Sequence, residues 1–281
     1  MSPAAFRTRS FRAAYDAALG EWPRPVESVD LPTPYGTTRV NSCGPADAPP
    51  LVLLPGGGAT SLVWGAVAAG TARTHRMHAL DLVGDPGLSV PAPGRPIRSV
   101  TDLVDWLDAV LDGLGAQGPL TLGGHSYGAW IAAHYAARGA ARLSRLMLID
   151  PTQVFAGLRP EYVLRALPVL VRPTPMRLRS FLDWETRGAA LDPAWLRLQD
   201  ESAHFPALRP VTGPRPNLTA LAAAPGTRID VLFAERARCH NAARAARTTR
   251  AALPDARVEV LPGVGHHALP LTAAGEITPR L

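Results

Sequence analysis

Six short apolar runs, each four to six residues long, recur along this 281-residue chain, and helical stretches lie between most of them. They are Pro50–Leu54 (PLVLL), Met77–Leu82 (MHALDL), Gly118–Gly123 (GPLTLG), Arg145–Ile149 (RLMLI), Ile229–Phe233 and the stretch leading into Leu261 from Val258. None alternates cleanly between apolar and polar. A strand with no polar face is buried on both sides, which is the pattern of a parallel sheet covered by helices on both faces. Between the runs, Val100–Leu114 carries Leu103, Trp106, Leu107, Val110, Leu111 and Leu114 at helical spacing, and Asn241–Ala252 reads as another helix. Glu27–Pro32 and Thr37–Ser42, joined by Pro34-Tyr35-Gly36, read as an opening antiparallel pair. The expected fold is α/β, with a mostly parallel eight-stranded sheet.

The alternation breaks once. From Pro151 to about Gly226 several helical pieces follow one another, separated by prolines. This divides the chain into a first core part (1–150), a helical cap insertion (151–226) and a second core part (227–281). The chain ends soon after His266, at TAAGEITPRL, which leaves a truncated second part or one completed by a partner as open readings.

Composition narrows the function. All 29 basic residues are arginine and the net charge is +6, but the arginines are scattered, unlike the clustered arginines of a nucleic-acid reader. Two cysteines, Cys43 and Cys239, make neither a disulfide framework nor a metal-binding spacing. Cys239 and His240 are adjacent at a helix start, where neighbours rarely face each other, so they are not read as a thiol–imidazole dyad. The N-terminal stretch lacks the apolar core of a secretory signal. Phe6, Phe11, Ala14, Tyr15 and Leu19 share a helical face, as in a docked surface helix. No run reaches the ~18 uncharged apolar residues that a membrane helix needs. The reading is a cytoplasmic protein acting on a small molecule, with no nucleic-acid or membrane partner.

One run ends in chemistry. Gly124-His125-Ser126-Tyr127-Gly128 has the form G-x-S-x-G, with an apolar strand before it and the helical stretch AWIAAHYAA after it. A strand-to-helix turn this tight needs Gly124 and Gly128 without side chains, and it lifts the Ser126 hydroxyl above the strand ends. The amide of Tyr127, at the start of the helix, then points at a developing oxyanion.

In this context the chain resembles the α/β-hydrolase family from about Trp22 to its end, and is similar to bacterial carboxylesterases of the naproxen-esterase type. The pieces that carry the resemblance are WPRPVESVDLPTPYGTTRV, GPADAPPLVLLPGGG, GDPGLS, GGHSYGAW and LPGVGHHALP. The resemblance implies Ser126 as nucleophile, His266 as base, and Gly57 with Tyr127 as oxyanion donors. Pro55 stands where that loop usually has a histidine. The implied activity is a serine hydrolase that cleaves an ester, thioester or lactone through an acyl-enzyme on Ser126. No metal or organic cofactor is implied. The Leu-, Val- and Pro-rich cap suggests a largely apolar substrate.

The family's acid position falls on Ala237, which cannot orient a histidine. Three readings remain: Asp150, at the end of a neighbouring strand, is the acid; Glu235 or a nearby polar group reaches His266; or there is no acid. Asp150 is the expected acid, because it is fixed by a strand. The missing acid also keeps open a cyclase, lyase or acyl transferase on the same scaffold, or a binding protein without catalysis. His267 is read as a neighbour of the base. Asp81 and Asp85 are expected to brace the loop GDPGLS. Trp64 and Trp130 read as packing residues, and Trp184 and Trp195 as packing or pocket lining.

Overall fold

A computed structural model describes residues 7–116, 118–139, 141–205, 210–224 and 226–280. Phe6, which the reading above placed on the N-terminal helical face, lies outside the described residues.

The opening helix α1 (Arg9–Gly20) is capped by the Thr8 hydroxyl and buries Phe11, Ala14, Tyr15 and Ala18. Two antiparallel strands follow, β1 (Val26–Thr33) and β2 (Gly36–Cys43), turning at Gly36 with φ 119°. Next come β3 (Pro50–Leu54), a 3₁₀ turn at Ser61–Trp64, α2 (Gly65–Thr71), β4 (Arg76–Leu80) and the two-residue β5 (Val90–Pro91). Helix α3 (Val100–Gly113) starts at a capping box, in which Ser99 and Asp102 satisfy each other's amides. Then follow β6 (Leu120–His125), α4 (Tyr127–Ala137) and β7 (Leu143–Ile149).

Four helices separate β7 from the next strand: α5 (Pro160–Val171), α6 (Pro175–Thr186), α7 (Pro193–Ser202) and α8 (Leu218–Ala222). The chain finishes with β8 (Arg228–Ala234), α9 (Ala242–Ala252), β9 (Arg257–Leu261), α10 (Leu269–Thr272) and α11 (Ala274–Ile277).

Among the described residues the strands form one sheet in the order β1-β2-β4-β3-β6-β7-β8-β9, which supplies the eight expected strands. The ninth, β5, pairs with β2. A Val-Pro dipeptide has too little pattern to be read as a strand. From β4 to β9 across the sheet every pairing is parallel.

Strand β3 explains the unbroken apolar runs. Leu51 and Leu53 join the core beneath α1 and α2, while Val52 and Leu54 join the core beneath α3 and α4. Alternate side chains enter two separate cores, so no position faces water. Each buried leucine contributes roughly 1.5–3 kcal/mol by its removal from water. Helix α4 is apolar nearly all round, as a helix enclosed by sheet and neighbours must be. No helix among the described residues is long and apolar enough to cross a membrane.

Candidate active site

The carboxyl ends of β6, β7 and β8 converge on a single constellation. At the end of β6 the backbone turns sharply into α4 through Ser126, whose φ of 53° and ψ of −112° are strained for a residue with a side chain. The flanking glycines are fixed by contact. A Cβ on Gly124 would meet the Gly128 carbonyl carbon at 2.4 Å, and one on Gly128 would meet the Pro55 carbonyl oxygen at 2.4 Å. Strand β3, β6 and α4 cannot approach this closely with any other residue there.

Ser126 Oγ lies 2.9 Å from His266 Nε2. His266 Nδ1 lies 2.6 Å from Asp150 Oδ2. Asp150 directly follows β7 in the left-handed region, φ 42°, a conformation that aspartate tolerates better than most residues. Its other oxygen accepts the Ala234 amide at 3.0 Å. His240 Nε2 also stands 3.0 Å from that oxygen, though out of line for a full hydrogen bond. Burial alone would push the Asp150 carboxyl up; His240 and His266 outweigh it and hold the carboxyl far below the ordinary range.

The loop after β9 carries His266 and is gripped at its backbone. The His266 amide donates to Glu185 Oε1 at 3.2 Å, and the His267 amide to Glu185 Oε2 at 3.1 Å. Glu185 comes from α6 and is buried. Burial raises its carboxyl, but His267 and His266 together with the His267 amide bring it down to about 2. The His266 carbonyl accepts from His125 Nε2 at 3.0 Å. Burial, with His266 and His267 nearby, holds the His125 imidazole well below its ordinary value, so it is neutral and the Nε2 proton serves this bond.

The loop after β3 lies beside the serine elbow. A Cβ on Gly57 would lie 3.6 Å from Tyr127 Cβ, so these two residues stand side by side. Tyr127 begins α4, and its amide therefore has no partner within the helix. The Gly58 amide is engaged by Asp85 Oδ2 at 2.8 Å. Asp85 thus braces this loop, while Asp81 braces GDPGLS through the Leu88 amide at 2.8 Å. Burial pushes the Asp85 carboxyl up to about 6, partly countered by the Gly58 amide.

Two cavities open here. One, of about 240 Å³, is lined mainly by apolar residues that include Tyr162, Leu178, Phe181, Leu182, Trp195 and Phe205. The other, of about 300 Å³, contains Ser126, Tyr127, Asp85, Thr152, Gln153 and Trp130. Gly57, Gly58 and Tyr162 line both, and the Tyr162 ring stands edge-on to His266.

Asp150, Cys239 and His266 offer three donor atoms within 4.8 Å of one another. A metal would need the Cys239 thiolate, and burial beside Asp150 and Glu185 pushes that thiol well up. The donors of Asp150 and His266 already face each other.

Ser126, His266 and Asp150 are therefore brought together, with Gly57 and Tyr127 beside them. Ala237 is buried and supplies no acid, and Glu235 points away, accepting the Gly263 amide. The expectation that Cys239 and His240 would not face each other is corrected: Cys239 Sγ lies 3.5 Å from His240 Nδ1, because both side chains turn inward ahead of α9. Glu185, His125 and Tyr162 escaped the sequence reading. His125 alone had a local signal, as the variable residue of the GHSYG turn.

This sheet order, with a serine elbow after β6 and a histidine after β9, defines an α/β-hydrolase. The chain belongs to the alpha/beta hydrolase family, whose model matches residues 51–278. It is 32% identical to the carboxylesterase YbfK of Bacillus subtilis over 151 residues, which is 54% of this chain and 50% of that protein. It is 30% identical to the uncharacterized carboxylesterase nap of the same organism over 170 residues, 60% of this chain and 55% of that protein. These matches span about half the length of each curated relative. The crystal structure of carboxylesterase CesB (YbfK) from B. subtilis superimposes with a TM-score of 0.88 at 24% identity, covering 97% of both chains. Naproxen esterase from B. subtilis gives 0.86 at 23% identity, also over 97% of both. At these identities the two structures establish the fold.

Proposed function

We propose that the protein is a carboxylesterase that cleaves esters of apolar carboxylic acids through an acyl-enzyme on Ser126. The observation that carries this reading is the unbroken line from Ser126 Oγ to His266 Nε2 (2.9 Å) and from His266 Nδ1 to Asp150 Oδ2 (2.6 Å). Asp150 accepts a hydrogen bond from Nδ1–H and keeps the proton on that nitrogen, which leaves Nε2 free to take the proton of Ser126 as the oxygen attacks the ester carbonyl. The amides of Gly57 and Tyr127 hold the oxyanion. His266 returns the proton to the departing alcohol. Water then repeats the sequence and frees the acid.

The two cavities support a division of the substrate. The apolar one suits the acyl group, and the one containing Thr152 and Gln153 suits the alcohol. In this reading residues 151–226 act as the cap, with α5, α6 and α7 supplying most of the acyl-side wall. The reading of a cyclase, lyase or acyl transferase was kept open by Ala237 at the usual acid position, and that of a non-catalytic binder by the fold alone; the Asp150–His266 contact at 2.6 Å supports the hydrolase reading over both.

A fluorophosphonate probe tests the nucleophile. It is expected to label the wild type and leave Ser126→Ala unlabelled. Across p-nitrophenyl esters, kcat/KM is expected to rise from acetyl to bulkier apolar acyl groups. Equal labelling of both proteins, or no labelling of either, defeats the proposal.

A further inference from the structure

His240 occupies the loop from which an α/β-hydrolase of this kind would draw its acid, three residues past Ala237. Its ring is buried, 2% exposed, and packs edge-on against Phe233 of β8 with centroids 5.7 Å apart. Nε2 lies 3.0 Å from Asp150 Oδ1, on the carboxylate edge that His266 does not use. Nδ1 lies 3.5 Å from Cys239 Sγ. Asp150 is thus sandwiched, with one imidazole at each oxygen.

We infer that His240 is a positioning residue for the acid: from the loop after β8 it holds Asp150 by Oδ1, so that Oδ2 meets His266. The inference rests on the Ser126–His266–Asp150 reading. The acid has moved to the end of β7, and the loop it left supplies a donor for it.

The tautomer follows from the neighbours. Cys239 stays a thiol beside Asp150 and Glu185, and its S–H is the donor available to Nδ1. That fixes the ring proton on Nε2, facing Asp150. At 3.0 Å, Nε2 and Oδ1 are at hydrogen-bond distance. The Ala234 amide alone leaves the carboxylate free to pivot about Oδ1; a second donor stops that pivot. Other ionisable groups that face Asp150 are His266, Cys239, His125 and Tyr162. Among the described residues, His240 and His266 present ring nitrogens to its oxygens, at 3.0 and 2.6 Å.

The experiment compares His240→Phe, which fills the space without a donor, with His240→Gln, which keeps one. His240→Phe is expected to lower kcat about 10- to 100-fold, less than the roughly 10²- to 10³-fold of a lost oxyanion donor because His240 acts through Asp150, and to leave KM within about threefold of wild type. His240→Gln is expected to recover most of kcat. Wild-type kcat in a folded His240→Phe protein overturns the inference, as does equal loss in both variants.

Should His240→Phe fail to fold, imidazole ¹H–¹⁵N spectra of the wild type and Asp150→Asn decide. The His240 Nε2–H resonance is expected to be protected from exchange and to shift in Asp150→Asn. A His240 ring protonated on Nδ1, or unmoved by that substitution, overturns the inference. Because the spectra do not depend on turnover, they separate a failure of this inference from a failure of the esterase reading.

Discussion

Two buried carboxylates flank the candidate nucleophile and are shifted in opposite directions. At the ends of β7 and β8, Asp150 receives the Ala234 amide, the His266 ring and the close approach of His240. At the loop after β3, Asp85 receives the Gly58 amide. Burial opposes the charge of both. Asp150 nonetheless lies far below the ordinary carboxylate range, while Asp85 is pushed up to about 6. The difference shows that depth does not decide the charge of an acid in this pocket; the number and polarity of its partners do. Beside His266 the carboxylate stays ionised well into acid, whereas beside the Gly57–Gly58 loop the acid takes up a proton as the pH falls through about 6.

The largest expected effect breaks the comparison at its charged end. Asp150→Asn keeps the shape and can still accept the Ala234 amide, but it cannot stabilise a protonated His266. It is expected to lower kcat by roughly 10³- to 10⁴-fold, as the equivalent change does in other triads. Circular dichroism should report an intact fold. An Asp150→Asn enzyme of near-normal turnover would remove Asp150 from the mechanism.

The next effect lies at the Asp85 end. Asp85 rises from an ordinary 3.8 to about 6 on folding, so the native state holds that proton more tightly than the unfolded chain. Stability therefore falls as pH rises through the window from about 4 to 6, and above it the native protein carries a deficit of about 3 kcal/mol. Asp85→Asn removes that deficit while still accepting the Gly58 amide. It is expected to melt on the order of 5 °C above wild type at pH 8, and at the wild-type temperature below pH 4. An offset that is the same at both pH values would show that charge is not the cause.

The smallest effect concerns Glu185, which sharpens the contrast because it too is buried and still falls to about 2. Its folded value lies below the ordinary 4.5, so it contributes stability above that pH and loses it as the solution is acidified toward 2. Glu185→Gln is expected to lower kcat about 10-fold, since one amide oxygen cannot accept both backbone amides. It should also flatten the loss of thermal stability between pH 5 and pH 3. Unchanged turnover would show that the loop after β9 holds its shape unaided.

Much of the fold and the core of the site could be read along the chain, because both are written in local patterns. The unbroken apolar runs follow from two-sided burial, and the serine turn follows from glycines that touch backbone. Asp150 was legible only by combining a strand end with the loss at Ala237. The supporting groups had no such signature. Glu185 is one of two acids in a helix that carries two arginines, and only packing brings it to the amides of His266 and His267. His240 sat beside Cys239 as an ordinary loop pair until β7 and β8 were set side by side. The tether from Asp85 to Gly58 spans two loops that neither sequence stretch announces. What the sequence hides here is contact between distant segments that share no period.

The grip of Glu185 on the His266 loop has a consequence for how such an enzyme can change. Helix α6 lines the apolar cavity and also holds the His266 loop, so in the proposed esterase selectivity and reactivity would be written on one piece of chain. Transplanting a relative's helices between β7 and β8 would exchange the specificity and, in the same stroke, unseat the histidine. Swaps that preserve a carboxylate at position 185 keep the two inheritances together, whereas drift elsewhere along α5 and α7 is free to explore new substrates without that penalty.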